Sequence, residues 1–464
     1  MRRFFRWIFR GFVMLVAGAA AWLYFLPPDL IRVGAGYTAK IICSNVFLAG
    51  RDAAQVLTDD VQAPGHPILK LMKVSVDKSA GTVSAGLAGI FGRQVAVYRP
   101  GYGCTVVPDG HVEMATRDGL PAIPDDGPKF DAAALWPLGN RVDASQDPAI
   151  SAVLDDVNLQ GPGMRAIIVA QNGRIIAERY GAGFTRETPL LGWSMTKTVN
   201  AAIVGMLVRD GKLALDKKAL FAEWTSDTRK DIALSDLLSM SSGLAFNEDY
   251  GSVTDVTRML FLENDMAAFA RDKPLVRDIG KVFNYSSGTA VLISRVWQDL
   301  LGDKALTYPS AAIFKPLGMT SATFETDVAG TFAGSSHLYA NAPDWAKFAQ
   351  MLLNKGMANG AQILPADYVA MMHEPAAASD FGHGPEYGLG QVWLRGPSAG
   401  GPEGQDSDLG FALPDDAYWM LGHDGQSICI IPSRDMLVLR MGLTPGKPGY
   451  KPQALVQRLL AVAG

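Results

Sequence analysis

The chain has 464 residues, of which 48% are hydrophobic and 19% charged, so it carries enough apolar sequence for a large buried core. Its formal net charge of -4 at pH 7 does not indicate a nucleic-acid-binding surface. The chain has three cysteines and six histidines, and no spacing between them predicts a metal site. We therefore expect a globular protein that uses no nucleic acid, metal or other cofactor, and its oligomeric state stays open.

The first thirty residues differ from the rest of the chain. They begin with four arginines, Arg2, Arg3, Arg6 and Arg10. An uninterrupted apolar run follows, from Gly11 to Leu26. Arginines before such a run predict that the N-terminus stays in the cytoplasm and the following chain crosses the membrane. Counted from Trp7, the run has about the 20 residues that span a bilayer. We expect residues 1–30 to be a single-pass anchor in the inner membrane, with the remaining chain in the periplasm.

Two other interpretations of this segment are a cleaved signal peptide and a buried core helix. A cleaved signal peptide would use the small residues of Ala17–Ala21, but the apolar run continues past them through Trp22–Leu26. A buried core helix would be expected to have a polar face, which this segment lacks. The retained anchor is therefore favoured over both.

Residues 31–130 are predicted to form an accessory module followed by a linker. Short apolar runs separated by glycine predict brief strands. They lie at Val74–Val76, Thr82–Leu87, Gln94–Tyr98 and Cys104–Val107. A stretch rich in proline, aspartate and glycine, from Asp118 to Lys129, predicts the linker. No residue pattern in this module indicates a function.

The three cysteines divide into a candidate pair and a single thiol. Cys429 lies in the apolar run Ser427–Ile431, which predicts a buried and inert thiol. Outside the cytoplasm the compartment is oxidising, so Cys43 and Cys104 are candidates for a disulfide. The alternative of three free thiols stays open.

The main domain is predicted at residues 131–464 and opens with a hairpin. Arg165–Ala170 and Arg174–Tyr180 flank the tight-turn signal Asn172-Gly173. Helices are predicted at 194–209, Leu234–Met240, Val253–Arg271, Gly288–Leu301, Ala305–Phe314, Pro343–Asn354 and Pro452–Ala461. Late strands are predicted at Ala417–Leu421, Ser427–Ile431 and Met436–Met441. This order predicts an α/β (α+β) fold, in which one antiparallel sheet is built from both ends of the domain and flanked by helices. A mostly helical region would be inserted beside it.

A serine and a lysine stand three residues apart where the first long helix of this domain begins. Helical spacing puts Ser194 and Lys197 on one face of the first turn. The apolar residues that follow predict an enclosed helix, and burial keeps a lysine amine partly neutral and able to activate a serine. Alone, this S-x-x-K spacing is common, with the serine as a helix cap and the lysine in solvent.

A second stretch places a phenol and a hydroxyl on a tight loop before another helix. It contains Tyr285 and Ser287. A tyrosine in contact with Lys197 would be held near its phenolate form by the cation. Tyr285 is therefore a candidate general base for Ser194 and, later, the acid for the leaving group. The alternative is an ordinary half-buried aromatic residue.

A third stretch joins the first two late strands. Glycine at a strand edge lets a substrate approach the backbone, so the N–H of Gln426 and that of Ser194 are predicted to form an oxyanion hole. His423 would project into the cleft, and Gly425 would lie against the substrate. The alternative is a hairpin in which Gly425 is the turn glycine and His423 is a surface residue.

The order S-x-x-K, Y-x-S and H-x-G resembles the serine beta-lactamase and penicillin-binding-protein superfamily. Linking segments that fit are Leu234–Leu244, Lys315–Met319, Ala333–Ser336 and Asp344–Phe348. The resemblance covers residues 160–464 and looks closest to the class C-related esterases and the 6-aminohexanoate-dimer hydrolases. It implies a beta-lactamase/transpeptidase-like fold with Ser194 as nucleophile, Lys197 as its activating partner and Tyr285 as acid and base. Phe246–Tyr250 resembles the substrate-side segment of the hydrolases, which implies a hydrogen bond from Tyr250 to the amide leaving group.

Two departures from the superfamily pattern bear on the substrate. Ser287 stands where class C beta-lactamases carry an asparagine, so the contact with a lactam side chain would be weaker. His423 stands where lactamases and peptidases usually place a lysine, and a histidine that is mostly neutral at pH 7 binds a carboxylate less well. Both departures argue against penicillins and D-alanyl-D-alanine ends as preferred substrates.

The leading hypothesis is a membrane-anchored serine hydrolase that cleaves a small amide or ester through an acyl-enzyme. A D-alanyl-D-alanine carboxypeptidase or a beta-lactamase is the alternative with the same chemistry. An alternative of another class is a non-catalytic penicillin-binding sensor that is acylated and never released. Burst kinetics would separate the enzyme from the sensor.

Overall fold

The computed structural model describes residues 2–116, 119–124, 131, 133–399, 405–446 and 449–463. Residues 118 and 125–129 of the predicted linker lie outside the described residues. The chain divides into two compact units: unit 1 contains Met1–Gly119 and Asp249–Asn264, and unit 2 contains Leu120–Glu248 and Asp265–Gly464. Residues 249–264 were predicted inside the continuous domain 131–464, but they are part of unit 1.

The α-helices of the described residues are α1 (Arg2–Phe25), α2 (Asp29–Phe47), α3 (Ala53–Val56), α4 (Pro148–Asp155), α5 (Val157–Gln160), α6 (Met195–Arg209), α7 (Leu234–Leu238), α8 (Asp255–Leu262), α9 (Met266–Arg271), α10 (Ser287–Leu301), α11 (Lys315–Leu317), α12 (Ala342–Leu353), α13 (Ala366–Met372) and α14 (Gln453–Val462). Their strands are β1 (Met72–Asp77), β2 (Thr82–Leu87), β3 (Phe91–Arg99), β4 (Gly103–Val107), β5 (Met164–Gln171), β6 (Arg174–Tyr180), β7 (Leu190–Leu191), β8 (Thr323–Phe324), β9 (Leu338–Ala340), β10 (Met357–Ala358), β11 (Ala361–Gln362), β12 (Tyr418–Gly422), β13 (Gln426–Ile431) and β14 (Met436–Gly442).

Unit 1 is an antiparallel four-stranded sheet in the order β1-β2-β3-β4, packed against α2. The four strands lie where the sequence predicted them, but α2 was not predicted. Two glycines near its start lower its intrinsic helix propensity. Packing requires Gly36, because a Cβ there would lie 2.9 Å from the backbone carbonyl oxygen of Phe261 in α8, and it favours Gly34, where a Cβ would lie 2.9 Å from the terminal methyl group of Met72. Tertiary contacts in unit 1 therefore outweigh the local preference.

A disulfide joins Cys43 in α2 to Cys104 in β4, with their Cα atoms 6.1 Å apart. Cys429 is a free thiol buried in β13, where removal from water raises its pKa well above the ordinary value. A raised pKa keeps the thiol protonated and unreactive. The disulfide closes 61 residues of sequence separation, which corresponds to about 4 kcal/mol of stabilisation in the loop-entropy account.

The N-terminal helix α1 contains a segment, Phe4–Phe25, that is long and apolar enough to cross a membrane. None of that segment is buried in the protein, so it is not a core helix. Length and composition are compatible with either a membrane anchor or a signal sequence.

Unit 2 contains a five-stranded antiparallel sheet in the order β12-β13-β14-β5-β6. The predicted sheet, built from both ends of the domain, is confirmed. At the β5–β6 turn, Asn172 and Gly173 have φ of +51° and +72°, as a tight hairpin of this twist requires. Helices α4 and α14 pack on one face of the sheet and α12 on the other. The helical middle of unit 2 includes α6 and α10, which contact each other.

Two predicted helices differ in the structure. The single helix expected at Val253–Arg271 is two helices, α8 in unit 1 and α9 in unit 2. The break occurs because Asp265 caps a new helix: its side chain accepts a hydrogen bond from the N–H of Ala268 at 2.9 Å. The helix expected at Ala305–Phe314 begins only at residue 308, and its residues Ser310–Phe314 form a π-helical turn that continues into α11.

Candidate active site

Ser194 is the residue immediately before α6, at the end of a constrained turn. Trp193 has φ +47°, a conformation that a non-glycine residue rarely adopts. A Cβ on Gly192 would lie 2.2 Å from the Trp345 ring, so only glycine fits there. The Ser194 side chain makes no helix cap; its hydroxyl lies 3.0 Å from the amine of Lys197. The interpretation of Ser194 as an ordinary capping serine therefore does not hold.

Lys197 is buried, with 1% of its surface exposed, and its Nζ is surrounded by oxygen atoms. It lies 3.0 Å from Ser194 Oγ, 3.2 Å from Ser287 Oγ and 3.1 Å from the carbonyl oxygen of Ser335. Burial lowers the pKa of Lys197 to about 8, although the negative charge of Glu248 acts in the opposite direction. A neutral amine has two N–H groups and one lone pair. It can therefore donate to Ser287 and Ser335 while it accepts the proton of Ser194.

Tyr285 contacts both members of this pair. Its hydroxyl lies near the side chains of Ser194 and Trp393. The Nζ of Lys197 lies over the face of the Tyr285 ring, 4.7 Å from the centroid, instead of beside the phenol oxygen. Burial, and then Glu248, raise the pKa of Tyr285 above its ordinary value. The expectation that the lysine holds this tyrosine near its phenolate form is wrong, because desolvation and a nearby carboxylate both disfavour the anion.

The tyrosine loop is held by backbone and capping contacts. The N–H of Asn284 donates to the Met240 carbonyl at 2.8 Å. Ser286 caps α10 by accepting from the N–H of Thr289 at 3.0 Å. These contacts on both sides fix the position of Tyr285 relative to α6, which α10 contacts.

A half-buried carboxylate that the sequence analysis missed lies close to the lysine. Glu248 accepts hydrogen bonds from the backbone N–H of Ser287 at 2.7 Å and from the Ser287 hydroxyl at 2.5 Å. Ser287 was expected to contact substrate, but its side chain is fully buried and its hydroxyl lies between Lys197 and Glu248. Burial raises the pKa of Glu248, and Lys197, Ser287 and His423 counteract this rise. Nothing local in the sequence around Glu248 indicates this contact, because Ser287 is 39 residues away.

The third stretch forms the turn between β12 and β13. Gly425 has φ +83°, and its carbonyl oxygen accepts from Arg440 at 3.0 Å. The Gln426 side chain donates to the carbonyl oxygens of His423 and Asp424 at 3.2 and 3.3 Å and thereby holds the turn. Gly425 is thus required by the turn itself, and its contact with substrate stays a prediction.

His423 lies on the same side of unit 2 as Ser194. Its ring is 5.3 Å from that of Trp193, centroid to centroid, and its side chain is 37% exposed. The partly exposed imidazole lies beside the turn that carries the nucleophile, and its contact with a substrate stays a prediction. Tyr250, the other expected substrate contact, belongs to unit 1, and its role stays a prediction.

Backbone pairing decides which N–H at the end of β12 is available to an oxyanion. On the outer edge of β12, Trp419 exchanges two backbone hydrogen bonds with Trp393, at 2.9 and 2.7 Å. Successive residues of a strand direct their backbone groups to opposite edges, so Gly422 is directed toward β13. Its register partner there is Gln426. The N–H of Gln426 is therefore directed into the hairpin, and the geometry does not support it as an oxyanion donor.

By the same alternation, the backbone of Leu421 is directed to the outer edge of β12, as that of Trp419 is. This end of the strand lies against the serine turn, since a Cβ on Gly422 would be 2.3 Å from the carbonyl oxygen of Gly192. The N–H of Ser194 is at a helix start, where N–H groups lack intrahelical partners. Leu421 is thus the better candidate for the second donor. The sequence alone could not identify Leu421 as a donor. Which edge of β12 is the outer one is known only from the pairing of Trp419 with Trp393.

Aromatic side chains pack around the ring of Tyr285. Its ring lies 5.2 Å from that of Trp393 and 5.9 Å from that of Tyr387. Phe283 packs against both of these neighbours, and the exposed Phe381 extends the group. An apolar surface next to the nucleophile favours an apolar portion of a substrate.

A family model described as Beta-lactamase matches residues 153–463, which is well over half of the sequence. The chain belongs to the Beta-lactamase family. The 6-aminohexanoate-dimer hydrolase of Paenarthrobacter ureafaciens is 20% identical over 311 residues, which are 60% of this chain and 72% of that protein.

Solved structures agree with this assignment. A candidate 6-aminohexanoate-dimer hydrolase from Bacillus anthracis has a TM-score of 0.53 at 21% identity and covers 74% of this chain and 87% of its own. A penicillin-binding-protein homologue from Caulobacter crescentus has a TM-score of 0.54 at 16% identity and covers 69% and 99%. At these identities the likeness shows the fold, a mixed helical and antiparallel-sheet fold of the beta-lactamase and penicillin-binding-protein type.

Proposed function

We propose that this protein is a serine hydrolase that cleaves small amides or esters through an acyl-enzyme. The observation that carries the proposal is the hydroxyl of Ser194, which lies 3.0 Å from the buried amine of Lys197 and near the side chain of Tyr285. A buried amine with its pKa lowered to about 8 is a suitable base near neutral pH. Membership of a family made up mostly of hydrolases supports the same conclusion.

In the first half-reaction the Ser194 oxygen attacks the substrate carbonyl carbon while Lys197 takes the hydroxyl proton. The carbonyl oxygen becomes an oxyanion, for which the N–H groups of Ser194 and Leu421 are the donors. The proton then passes to the leaving amine or alcohol, with the neutral Tyr285 as the hydroxyl that relays it. The bond between the carbonyl carbon and the leaving group breaks, and an ester of Ser194 remains.

In the second half-reaction a water molecule replaces the leaving group. The lysine and tyrosine pair takes one proton from water, the oxygen bonds to the acyl carbon, and the proton returns to Ser194. The products are a carboxylic acid and a free hydroxyl on the enzyme. One water is consumed for each amide or ester cleaved.

We place short linear amides of the aminohexanoate type, or small esters, ahead of penicillins and D-alanyl-D-alanine peptides. His423 and Ser287 support this order, because neither supplies the fixed charge or amide that the lactam-binding relatives use. Purified protein would be compared on 6-aminohexanoate dimer, a p-nitrophenyl ester series and nitrocefin. Turnover of nitrocefin faster than of every linear substrate would reverse the order.

A fluorophosphonate probe tests the nucleophile directly. Wild-type protein should be labelled once, Ser194→Ala should not be labelled, and Ser226→Ala, an exposed serine of unit 2, should be labelled like wild type. Equal labelling of wild type and Ser194→Ala would refute the mechanism. Labelling followed by no turnover of any substrate would favour an acylated sensor instead.

We also propose that α1 anchors the protein in the inner membrane with both units in the periplasm. The exposed apolar helix and the preceding arginines support this topology. Full-length protein expressed with its own N-terminus should stay in the membrane pellet after a high-salt wash. A soluble product lacking residues 1–21 would show that the segment is a cleaved signal sequence.

A further inference from the structure

The carboxylate of Glu248 is the strongest polar feature of the site that the catalytic steps above do not use. It is half-buried, and it accepts two hydrogen bonds from Ser287, one from the backbone N–H and one from the hydroxyl. The same hydroxyl accepts from Lys197 at 3.2 Å. Ser194, Lys197, Ser287 and Glu248 therefore form one continuous chain of hydrogen bonds.

We propose that Glu248 is a positioning residue for Lys197: through the Ser287 hydroxyl it holds the amine against Ser194, and its negative charge favours the ammonium that forms when the serine attacks. This inference rests on the proposed function. It assigns a role to a residue 54 positions after Ser194 in the sequence, within the segment Phe246–Tyr250, for which the sequence predicted a role only for Tyr250.

Charge supports this role independently of the hydrogen bonds. Glu248 raises the pKa of Lys197, while burial lowers it, so the amine keeps enough basicity to take the serine proton. Without the carboxylate, burial would act alone and the amine would be a weaker base. The intervening hydroxyl prevents a direct ion pair, which would hold the lysine permanently protonated.

Four charged or titratable side chains face the hydrogen-bonded groups of the site: those of Lys197, Glu248, His423 and Tyr285. Lys197 is faced by Glu248, and Glu248 by Lys197 and His423. Tyr285 is faced by Glu248, and Tyr387 by both Tyr285 and Glu248. Removing the charge of Glu248 therefore lowers the pKa of Lys197 and also makes Tyr285 easier to ionise.

The test is the pH profile of kcat/KM for a p-nitrophenyl ester. Glu248→Gln keeps the shape of the side chain and removes its charge, so the midpoint of the acid limb should move to lower pH by about one unit, and the plateau should fall by roughly 10- to 100-fold. Glu386→Gln is the matched control, because this half-buried carboxylate of unit 2 faces His383 and Arg395 instead of the site. Its midpoint should equal that of wild type.

A second variant separates charge from position. Glu248→Asp keeps the charge but shortens the side chain, so its midpoint should stay within a few tenths of a unit of wild type while the plateau falls. This variant also carries the test if the glutamine variant does not fold. A midpoint that moves in Glu248→Asp as far as in Glu248→Gln, or that moves in neither while the plateau is unchanged, would overturn the proposal.

The proposed function and this inference fail in different ways. Hydrolysis that persists in Ser194→Ala refutes the serine mechanism itself. Hydrolysis that requires Ser194 but has the same pH profile in wild type and Glu248→Gln refutes only the role of Glu248.

A second inference comes from unit 1, from the turn between β2 and β3. Its residues Ala88, Gly89 and Ile90 are all exposed, with 57% of Ile90 in solvent. The exposed Leu71 (59%) lies beside them, because its carbonyl accepts from the N–H of Ala88 at 2.9 Å. Two exposed aliphatic side chains at one turn form an unpartnered apolar tip.

The position of this tip relates it to α1. A Cβ on Gly92, two residues after Ile90, would lie 2.7 Å from Ile31 and 3.4 Å from Pro27. The tip is therefore next to the C-terminal end of α1, which reaches the interface if α1 spans a bilayer. Exposed cations adjoin it at Lys70 and Lys73, and a Cβ on Gly89 would be 3.4 Å from Lys73.

We infer that the tip formed by Leu71 and Ala88–Ile90 rests on the bilayer that α1 enters, with the aliphatic side chains at the interface and the lysines near anionic headgroups. The turn at the other end of β2 shows the contrast. There, Asp77 accepts from the N–H and hydroxyl of Ser79 at 2.9 and 2.6 Å, and its neighbours Lys78 and Ala80 offer no aliphatic tip.

Fluorescence quenching in vesicles tests this contact with the full-length chain. A bimane label at Ile90→Cys should be quenched by lipids that carry a nitroxide at the headgroup, whereas a label at Ser79→Cys should not. The native Cys429 is buried and does not compete for the label. Quenching at position 90 should weaken in vesicles without phosphatidylglycerol.

Equal quenching at positions 79 and 90, or none at 90 in protein that floats with the vesicles, would overturn the contact and leave the anchor intact. Protein that does not float with the vesicles would refute the anchor and the contact together.

Discussion

Two buried lysines of unit 2 have opposite surroundings. Lys347 in α12 makes a direct ion pair with Asp344 at 2.9 Å and also donates to the carbonyl oxygen of Gly318 at 2.6 Å. Lys197 in α6 contacts two hydroxyls and one carbonyl, and its nearest carboxylate, Glu248, is separated from it by the Ser287 hydroxyl. A direct pair keeps a proton in place, whereas an indirect pair leaves the amine free to exchange one. Burial alone does not distinguish a structural lysine from a catalytic one. In this protein the two differ in whether a carboxylate contacts the amine directly.

The most direct test of the difference between Lys197 and Lys347 is to remove each amine in turn. Lys197→Met preserves a buried aliphatic side chain but leaves Ser194 without a base, so kcat/KM should fall by roughly 10³- to 10⁴-fold. Steady-state kinetics and the rate of fluorophosphonate labelling would measure the loss. A variant that retains activity within tenfold of wild type would show that another group removes the proton.

Lys347→Met should affect folding instead of chemistry. It leaves the Asp344 carboxylate buried without its cation, which costs about 3–5 kcal/mol when one partner of a buried pair is removed. Denaturant unfolding would show the reduced free energy of unfolding, and kcat/KM per labelled active site should stay near that of wild type. A large loss of kcat/KM in correctly folded protein would remove the distinction between the two lysines.

The pH dependence of wild type should report the Lys197 amine. Below its pKa of about 8 the amine is protonated and has no lone pair for the serine proton, so kcat/KM should fall about tenfold for each pH unit on the acid side. Above this value the amine is neutral and the rate should level off. A rate that is flat between pH 6 and 9, or that falls as the pH rises through about 8, would contradict a lysine base.

The smallest expected effect is at Trp393, whose side chain lies near the Tyr285 hydroxyl. Trp393→Phe removes one donor and keeps an aromatic ring, so kcat/KM should fall roughly tenfold or less. Because the indole lowers the pKa of Tyr285, any alkaline limb should move to higher pH in this variant. An alkaline limb that moves to lower pH would show that the indole does not act on the phenol.

Local patterns predicted the parts of the site that lie within one element or one turn. The spacing of Ser194 and Lys197 puts both on the first turn of a helix, and the structure places their side chains 3.0 Å apart. The hairpin at Asn172-Gly173 was likewise readable, since its turn needs positive φ at two residues. Short apolar runs separated by glycine predicted the four strands of unit 1.

Contacts between segments that are distant in the sequence could not be predicted from local patterns. Glu248 approaches Ser287 only after α10 packs near α6, and no local pattern marks a carboxylate for that position. The direction of the Gln426 N–H depended on strand register, and the Tyr285 pKa depended on burial and on Glu248. Helix α2 was missed because its glycines lower local propensity, whereas in the folded unit they allow close packing.

The sequence by itself determined the chemistry that short-range geometry can assemble: a serine and a lysine one helical turn apart, a tyrosine on a capped loop, a glycine turn between two strands, and an apolar N-terminal segment. The tertiary structure decided which side chain, Lys197 or Tyr285, can accept the proton of Ser194. Desolvation and the placement of the half-buried Glu248 carboxylate set the basicity of Lys197 and Tyr285, and both depend on atoms contributed by segments far apart in the chain. Protonation states follow from the three-dimensional environment, which no window of sequence contains.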